Sequence, residues 1–270
     1  MELRIKRLLS QVLFFSIANL GAFKFKTGFC VPFFYCHSCP TSAGACPIKS
    51  LESGVFKGNL DWKLIFFPLM IIGFVGILFG RAVCGWACPI GLLQRATGRV
   101  PRLIKKRYPH LKKLSNSKID RYMRYSKYLV LIFLVFITTY FIGFMFTDIC
   151  PVGILVGTFP TMILNPGAYT PNVFFLAAMI VFLLFIILIF TVERGWCRYF
   201  CPVGALFAPF NKVSIYHVYV DKEKCIHCNK CIDVCPMGID VPNMNRSPEC
   251  ILCGKCIQAC PENIISFRRN

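Results

Sequence analysis

Residues Cys225 to Pro261 read CIHCNKCIDVCPMGIDVPNMNRSPECILCGKCIQACP, and one spacing occurs in them twice. It is Cys225-x2-Cys228-x2-Cys231-x3-Cys235-Pro236, then Cys250-x2-Cys253-x2-Cys256-x3-Cys260-Pro261. Three thiols from a tight loop and a fourth opening a short helix suit a cubane [4Fe–4S] cluster. Where two such runs share a domain, the fourth cysteine of each serves the other cluster. The spacing therefore assigns Cys225, Cys228, Cys231 and Cys260 to one cluster, and Cys250, Cys253, Cys256 and Cys235 to its partner. Zinc sites pair two separated knuckles instead of running three in series, and a disulfide framework has no need of the doubled spacing. We expect a small α+β domain holding two clusters at residues 216–270.

Upstream of this tail the composition changes character. The whole chain has 270 residues, 56% of them hydrophobic, including 27 Phe, and a mean hydropathy of +0.60. That is more apolar surface than a soluble domain of this size can bury, so an α-helical membrane region is expected over residues 1–215. Four apolar spans stand out, at Leu8–Phe23, Trp62–Gly80, Tyr128–Phe146 and Val173–Val192. Three have about the ~20 residues a bilayer crossing needs. The first is short and carries Gln11, Ser16 and Asn19; Ser16-Ile17-Ala18 also suggests a signal cleavage site. We read it as a transmembrane helix.

The formal charge of +19 raises nucleic acid as a partner. Its densest run, from Arg95 to Lys127 with only Asp120 opposing it, lies between two apolar spans. There a cytoplasmic membrane loop is the better reading, and no nucleic acid is expected. Residues 147–172 contain no Lys or Arg. The positive-inside rule then puts both termini, the basic loop and the cluster-bearing tail in the cytoplasm, with Cys30–Cys46 and Cys150 outside. The run RLIKKRYPHLKK at 102–113 suits anionic membrane lipid, or an acidic partner.

A repeat links the spans. Each of two helix pairs carries a Cys-Pro turn after each of its spans: Cys46-Pro47-Ile48 and Cys88-Pro89-Ile90-Gly91 in the first, Cys150-Pro151-Val152-Gly153 and Cys201-Pro202-Val203-Gly204 in the second. This predicts two similar helix pairs, with one pair of Cys-Pro turns meeting on each side of the membrane. Proline after a ligand cysteine pre-sets entry into a helix, and the glycines let backbone pass close to a bulky cluster. On the cytoplasmic side RAVCGWACP (81–89) mirrors RGWCRYFCP (194–202). Two C-x3-C units supply Cys84, Cys88, Cys197 and Cys201, enough for a third [4Fe–4S] cluster; reduced dithiol pairs are the alternative.

These units, followed by a two-cluster ferredoxin tail, resemble the NapH-type membrane iron–sulfur proteins, which are quinol-dehydrogenase subunits of periplasmic nitrate reductase systems. The NosR and FixG families share the same units. The resemblance covers almost everything after Trp62 and is closest over RGWCRYFCPVGAL (194–206). It implies a redox subunit of a larger complex in a prokaryotic cytoplasmic membrane, with Cys84, Cys88, Cys197 and Cys201 redox-active and quinol a frequent donor. The stretch Cys30-x5-Cys36-x2-Cys39-x6-Cys46 departs from the plainer members and resembles a cysteine-rich subgroup. Repeat symmetry favours Cys46 and Cys150, joined by Cys36 and Cys39, as an outer cluster, with Cys30 spare. Exchange of Cys30 for Cys150, or an outer disulfide such as Cys36–Cys46, stays open.

No haem b is expected, because His37, His110, His217 and His227 all lie outside the spans. For quinone, Glu193 on the inner side and Asp148 on the outer side are the candidate acids; Glu193 could equally pair with Arg194 or Arg81. Trp62, Trp86 and Trp196 are expected in the interfacial aromatic belt. The reading is a relay of single electrons between the quinone pool or an outer partner and a cytoplasmic redox protein at the tail. Two others compete with it: thiol-based copper reduction or assembly, and a membrane regulator scaffolding a reductase.

Overall fold

The computed structural model describes residues 2–23, 30–36, 39–107, 118–164, 167, 173–244 and 246–269. His37, His110 and half of the 102–113 run, residues 108–113, lie outside the described residues. The chain is helical up to about residue 212 and ends in a helix–strand unit around a two-stranded sheet.

Among the described residues, two helices are long and apolar enough to cross a membrane, Trp62–Phe79 and Ile119–Phe141. The expected four are therefore met in two cases. Phe175–Thr191 is as apolar but runs only 17 residues. The long helices are not core helices: Trp62, Phe66 and Phe74 are 66–70% exposed, as residues facing lipid would be. The third expected span starts earlier than its apolar run, because Ile119 to Lys127 extend the helix at its N-terminal end, and Val130–Ile137 within it is π-helical.

The N-terminal helix Glu2–Ala18 is turned inside out relative to a soluble helix. It buries Arg7, Gln11 and Ala18 and exposes Ile5, Leu8, Leu9, Val12, Leu13 and Phe15. Its polar stripe docks on the first C-x3-C unit: Gln11 Nε2 donates to Gly85 O at 3.1 Å and Ser10 Oγ to Trp86 O at 2.9 Å.

One continuous core holds the helices together. Ile48, Ile72, Val135, Phe185, Val203 and Phe207 are at most 1% exposed, and Cys46, Cys88, Cys150 and Cys201 belong to the same cluster. The tail closes with Tyr216–Val220 paired antiparallel to Ile265–Arg269, Tyr216 opposite Arg269 and Val220 opposite Ile265. Its short helices Lys230–Asp233 and Lys255–Ala259 pack on that sheet through Val218, Val220, Cys231, Cys256 and Ile265.

Candidate iron–sulfur sites

All four Cys-Pro turns fold alike. Cys46, Cys88, Cys150 and Cys201 each sit at a helix N-cap with φ between −66° and −71° and ψ between 112° and 128°, and the following proline is the first helical residue. The ring of proline excludes αR for the residue before it, so the cysteine is held extended while its thiol faces the helix start. There the N–H of the third residue on (Lys49, Gly91, Gly153 or Gly204) points at the sulfur. Exposed N–H groups and the helix dipole both favour a thiolate at this position.

The inner four, Cys84, Cys88, Cys197 and Cys201, are 4–7% exposed and electrostatically coupled to one another. The two repeats clasp them crosswise. Arg81 Nη2 donates to Cys197 O at 2.7 Å, and Arg194 Nη1 donates to Cys84 O at 2.7 Å. The glycines make room for these guanidinium groups: a Cβ on Gly91 would meet Cys84 O at 2.6 Å and Arg194 Nη1 at 3.1 Å, and one on Gly204 would meet Arg81 Nη2 at 2.7 Å. Their role is thus to admit the arginine of the opposite repeat. Gln94 Nε2 adds a donor to Cys197 Sγ at 3.1 Å. Burial and the neighbouring thiols push Cys88 up to about 12, so four thiolates here need positive charge. Iron, with the buried Arg81 and Arg194, matches that demand.

In the tail, one cavity is lined by Cys235, Cys250, Cys253 and Cys256 with Met237, Ile239 and Ile251. A second is lined by Cys225, Cys228, Cys231 and Cys260 with Ile226, Ile264 and Ile265. The structure thus brings Cys235 and Cys260 each beside the other run's triplet. Among the described residues no three Cys, His, Asp or Glu side chains converge tightly enough to hold a single metal ion; these thiols surround a cavity instead. Burial first, then neighbouring thiols, hold Cys256 up at about 12, as an iron-filled cavity would reverse.

The tail's first cavity abuts the inner four. Cys84 packs with Met237, Ile239 and Ile251, and a Cβ on Gly85 would meet Ile251 O at 2.3 Å. A polar latch fixes this joint. Asn211 Nδ2 donates to Ser247 O, Pro248 O and Cys250 O at 2.7–3.2 Å, while its Oδ1 accepts from Arg81 N at 2.6 Å. Glu249 accepts from Arg81 Nη1 at 2.8 Å and from Lys127. Burial raises the Glu249 carboxyl, but the two cations outweigh it and hold it below the usual carboxylate range. Trp86 Nε1 donates to Leu252 O at 2.9 Å. Arg7 Nη1 donates to Cys253 O at 2.9 Å.

Where the outer site was expected, a cavity of about 100 Å³ is lined by Cys36, Cys46 and Cys150 with Phe34, Lys49 and Asp148. Cys39, expected there, lies elsewhere: its sulfur sits 3.1 Å from Thr41 Oγ1 and 3.9 Å from Tyr35 OH. Cys30 is buried in a parallel bridge with Ala45. Phe34 ties this cavity to the inner four, since Cys88 Sγ donates to Phe34 O at 3.9 Å.

Three expectations are corrected. Glu193 pairs with Lys255 Nζ at 2.5 Å and Arg102 Nε at 3.4 Å, neither of the two arginines expected. Trp196 is 4% exposed and stacks edge-on against Phe185 at 5.3 Å. Trp86 is taken up by the tail, so only Trp62, 70% exposed, remains where an interfacial belt could hold it. The sequence reading missed Glu249, Asn211, Gln94 and Glu52. Only Glu249, an acid directly before a ligand-type cysteine, left a local signal. Glu52 is fully buried and accepts from Thr147 Oγ1 at 2.5 Å and Thr147 N at 3.4 Å, and its Oε1 has no partner among the described residues.

The comparisons agree with this geometry. A family described as a 4Fe-4S binding domain matches residues 60–108 and 174–216, the two repeat units, and a 4Fe-4S dicluster domain matches residues 217–261. An uncharacterized protein of Methanocaldococcus jannaschii is 28% identical over 242 residues, 89% of this chain and 85% of that one. The ferredoxin-type protein NapH of Escherichia coli is 27% identical over 205 residues, 75% of this chain and 62% of its own length. The methylamine utilization ferredoxin-type protein MauN of Methylobacillus flagellatus is 25% identical over 196 residues, 70% and 60%. The chain thus spans about three fifths of the length of these two named relatives. No solved structure matches. With both cluster-binding domain types, and with ferredoxin-type electron-transport relatives matching across most of its length, the chain belongs to the NapH-type membrane iron–sulfur proteins.

Proposed function

We propose that the chain relays electrons across a membrane through four [4Fe–4S] sites, between the quinone pool or an outer-face redox partner and a soluble cytoplasmic redox protein. The sites are Cys36, Cys39, Cys46 and Cys150; Cys84, Cys88, Cys197 and Cys201; Cys235, Cys250, Cys253 and Cys256; and Cys225, Cys228, Cys231 and Cys260. Cys39, whose sulfur sits 3.1 Å from Thr41 Oγ1, is the fourth thiol assigned to the first. When bound, each cluster supplies reversible one-electron chemistry.

The observation that carries this reading is contiguity. Phe34 lines the outer cavity and accepts from Cys88 Sγ, Cys84 packs on the wall of the next cavity, and the tail's shared core joins that cavity to the last. The chain's own groups set spacing and charge: the crossed arginines neutralise the inner thiols, and Glu249 with Asn211 holds the tail at a fixed approach. The last set is the exit, because Cys228 is exposed and Ile226 is 60% exposed, leaving a surface for a soluble partner. In this reading residues 1–215 are the multi-pass membrane domain, both termini are cytoplasmic, and other redox subunits meet the outer face. Asp148, on the outer cavity, is the acid suited to accept a proton from quinol there.

Anaerobic iron and acid-labile sulfide per chain, with EPR of the reduced protein, test it. About sixteen irons are expected. Cys150→Ser and Cys197→Ser should each remove about four. A wild-type value of about eight, with the remaining cysteines titrating as thiols, overturns the relay and leaves a thiol-based copper function.

A further inference from the structure

A cleft on the cytoplasmic side runs between the N-terminal helix, the helix after Cys88 and the tail, and it is lined by Arg4, Arg7, Arg95, Arg99, Arg102 and Lys255. Among the described residues the one acid on its wall is Asp233. Arg102 and Lys255 are neutralised by Glu193. The other four have no carboxylate partner among the described residues: Arg7 donates to the carbonyls of Cys253 and Gly85, and Arg95 to Gln11 Oε1 at 3.2 Å and Arg4 O at 2.9 Å. Burial, then Arg4 and Arg194, depresses the Arg95 pKa, which is the mark of cations crowded without a counter-charge. Arg7 is 3% exposed, and its Nε has no partner among the described residues.

The rest of the lining says what kind of anion belongs here. Leu3, Ile5, Leu8 and Leu92 form the other wall. From Leu8 the apolar surface continues along the outward face of the same helix through Leu9, Val12, Leu13 and Phe15, all exposed. A phosphate held by the arginines would have its acyl chains laid along that stripe, whereas a soluble anion would leave it bare. We propose that this cleft binds the headgroup of one anionic phospholipid, phosphate among Arg4, Arg95 and Arg99, tails along the N-terminal helix. The inference stands apart from the electron relay, and either could fail alone. It also gives Arg7 a second part: it links the lipid's charge to the carbonyl of Cys253.

The cluster-loaded full chain in neutral detergent would be titrated with phosphatidylglycerol and, separately, phosphatidylcholine, and bound lipid counted by native mass spectrometry. One phosphatidylglycerol per chain is expected, with phosphatidylcholine excluded. Arg4→Gln with Arg99→Gln, both exposed and outside the thiol sites, should weaken retention about fivefold for each arginine removed. Lys222→Gln with Lys224→Gln, an equal charge loss on the tail, should leave it unchanged. Three results would overturn the proposal: equal retention of the two lipids, equal weakening by both variant pairs, or complete displacement by millimolar inorganic phosphate, which would mark a small-anion site.

Discussion

Arg81 and Arg194 occupy equivalent places in the repeat but differ in electrostatic company. Arg81 is matched by Glu249, whereas Arg194 donates only to the carbonyls of Cys84 and Gly91. Arg194 is therefore the uncompensated buried cation nearest the inner thiols, and it favours the reduced, more negative state of a cluster held there. Arg194→Gln should lower that site's midpoint potential by about 60 mV in potentiometric EPR, the one-electron equivalent of a charge-assisted contact of about 1.4 kcal/mol. Arg194→Lys, keeping the charge, should recover part of it. Glu52 offers a second residue-scale test. Burial raises its carboxyl to about 7 from the ordinary 4.5, although Thr147 donates to it. The folded protein thus binds a proton that the unfolded chain has lost, so this group's share of stability is complete below about 4.5 and is lost as pH rises toward about 7. Thermal melts of wild type minus Glu52→Gln should slope downward across that window and be flat above it; a flat difference throughout would refute the buried-acid assignment.

At the scale of elements, the Cys-Pro helices and their glycines decide whether the inner site can form. Gly91→Ala and Gly204→Ala each push a methyl into an arginine from the opposite repeat; each should lower iron by about four per chain while the tail's EPR signals persist. The latch is a separate element. Lys127 and Arg81 have fully buried side chains and share Glu249, so Glu249→Ala strands two buried cations, at a cost of about 3–5 kcal/mol. Hydrogen exchange over residues 246–253 should speed up markedly in that variant, with exchange at the far sheet, Tyr216–Val220, little changed. What the sequence disclosed divides along the same line. The C-x2-C runs, the C-x3-C units and the Cys-Pro turns are local spacings, and local geometry follows from them directly. The crossed arginines, Asn211 and Glu249 join residues more than a hundred positions apart, and no periodicity reports such pairs. Trp86 and Trp196 were misplaced for the same reason, since an aromatic at a span end looks alike whether it meets lipid or a docked domain. Cys39 illustrates a different limit. Five outer cysteines compete for four positions, and the choice turns on loop packing against Tyr35 and Thr41.

For the molecule as a whole, the thiols are distributed over three apolar clusters, one in the helical region and two in or against the tail, and the helices around them present phenylalanine and leucine outward. The apolar pattern disclosed this exterior; of the four expected crossings, two among the described residues are long and apolar enough, while Phe175–Thr191 and the N-terminal helix run 17 residues each. The crossed arginines bear on how such a molecule can arise. Each repeat carries two thiols and a cation that completes the other repeat's half, so neither half is self-sufficient. A protein with one repeat could build this centre only by pairing with a second copy about a two-fold axis through the four sulfurs. Fusing the copies into one chain frees them to diverge: here one arginine has been given to the tail, through Glu249, and the other kept for the centre. The direction of the tail's attachment is thereby written into an otherwise symmetric site.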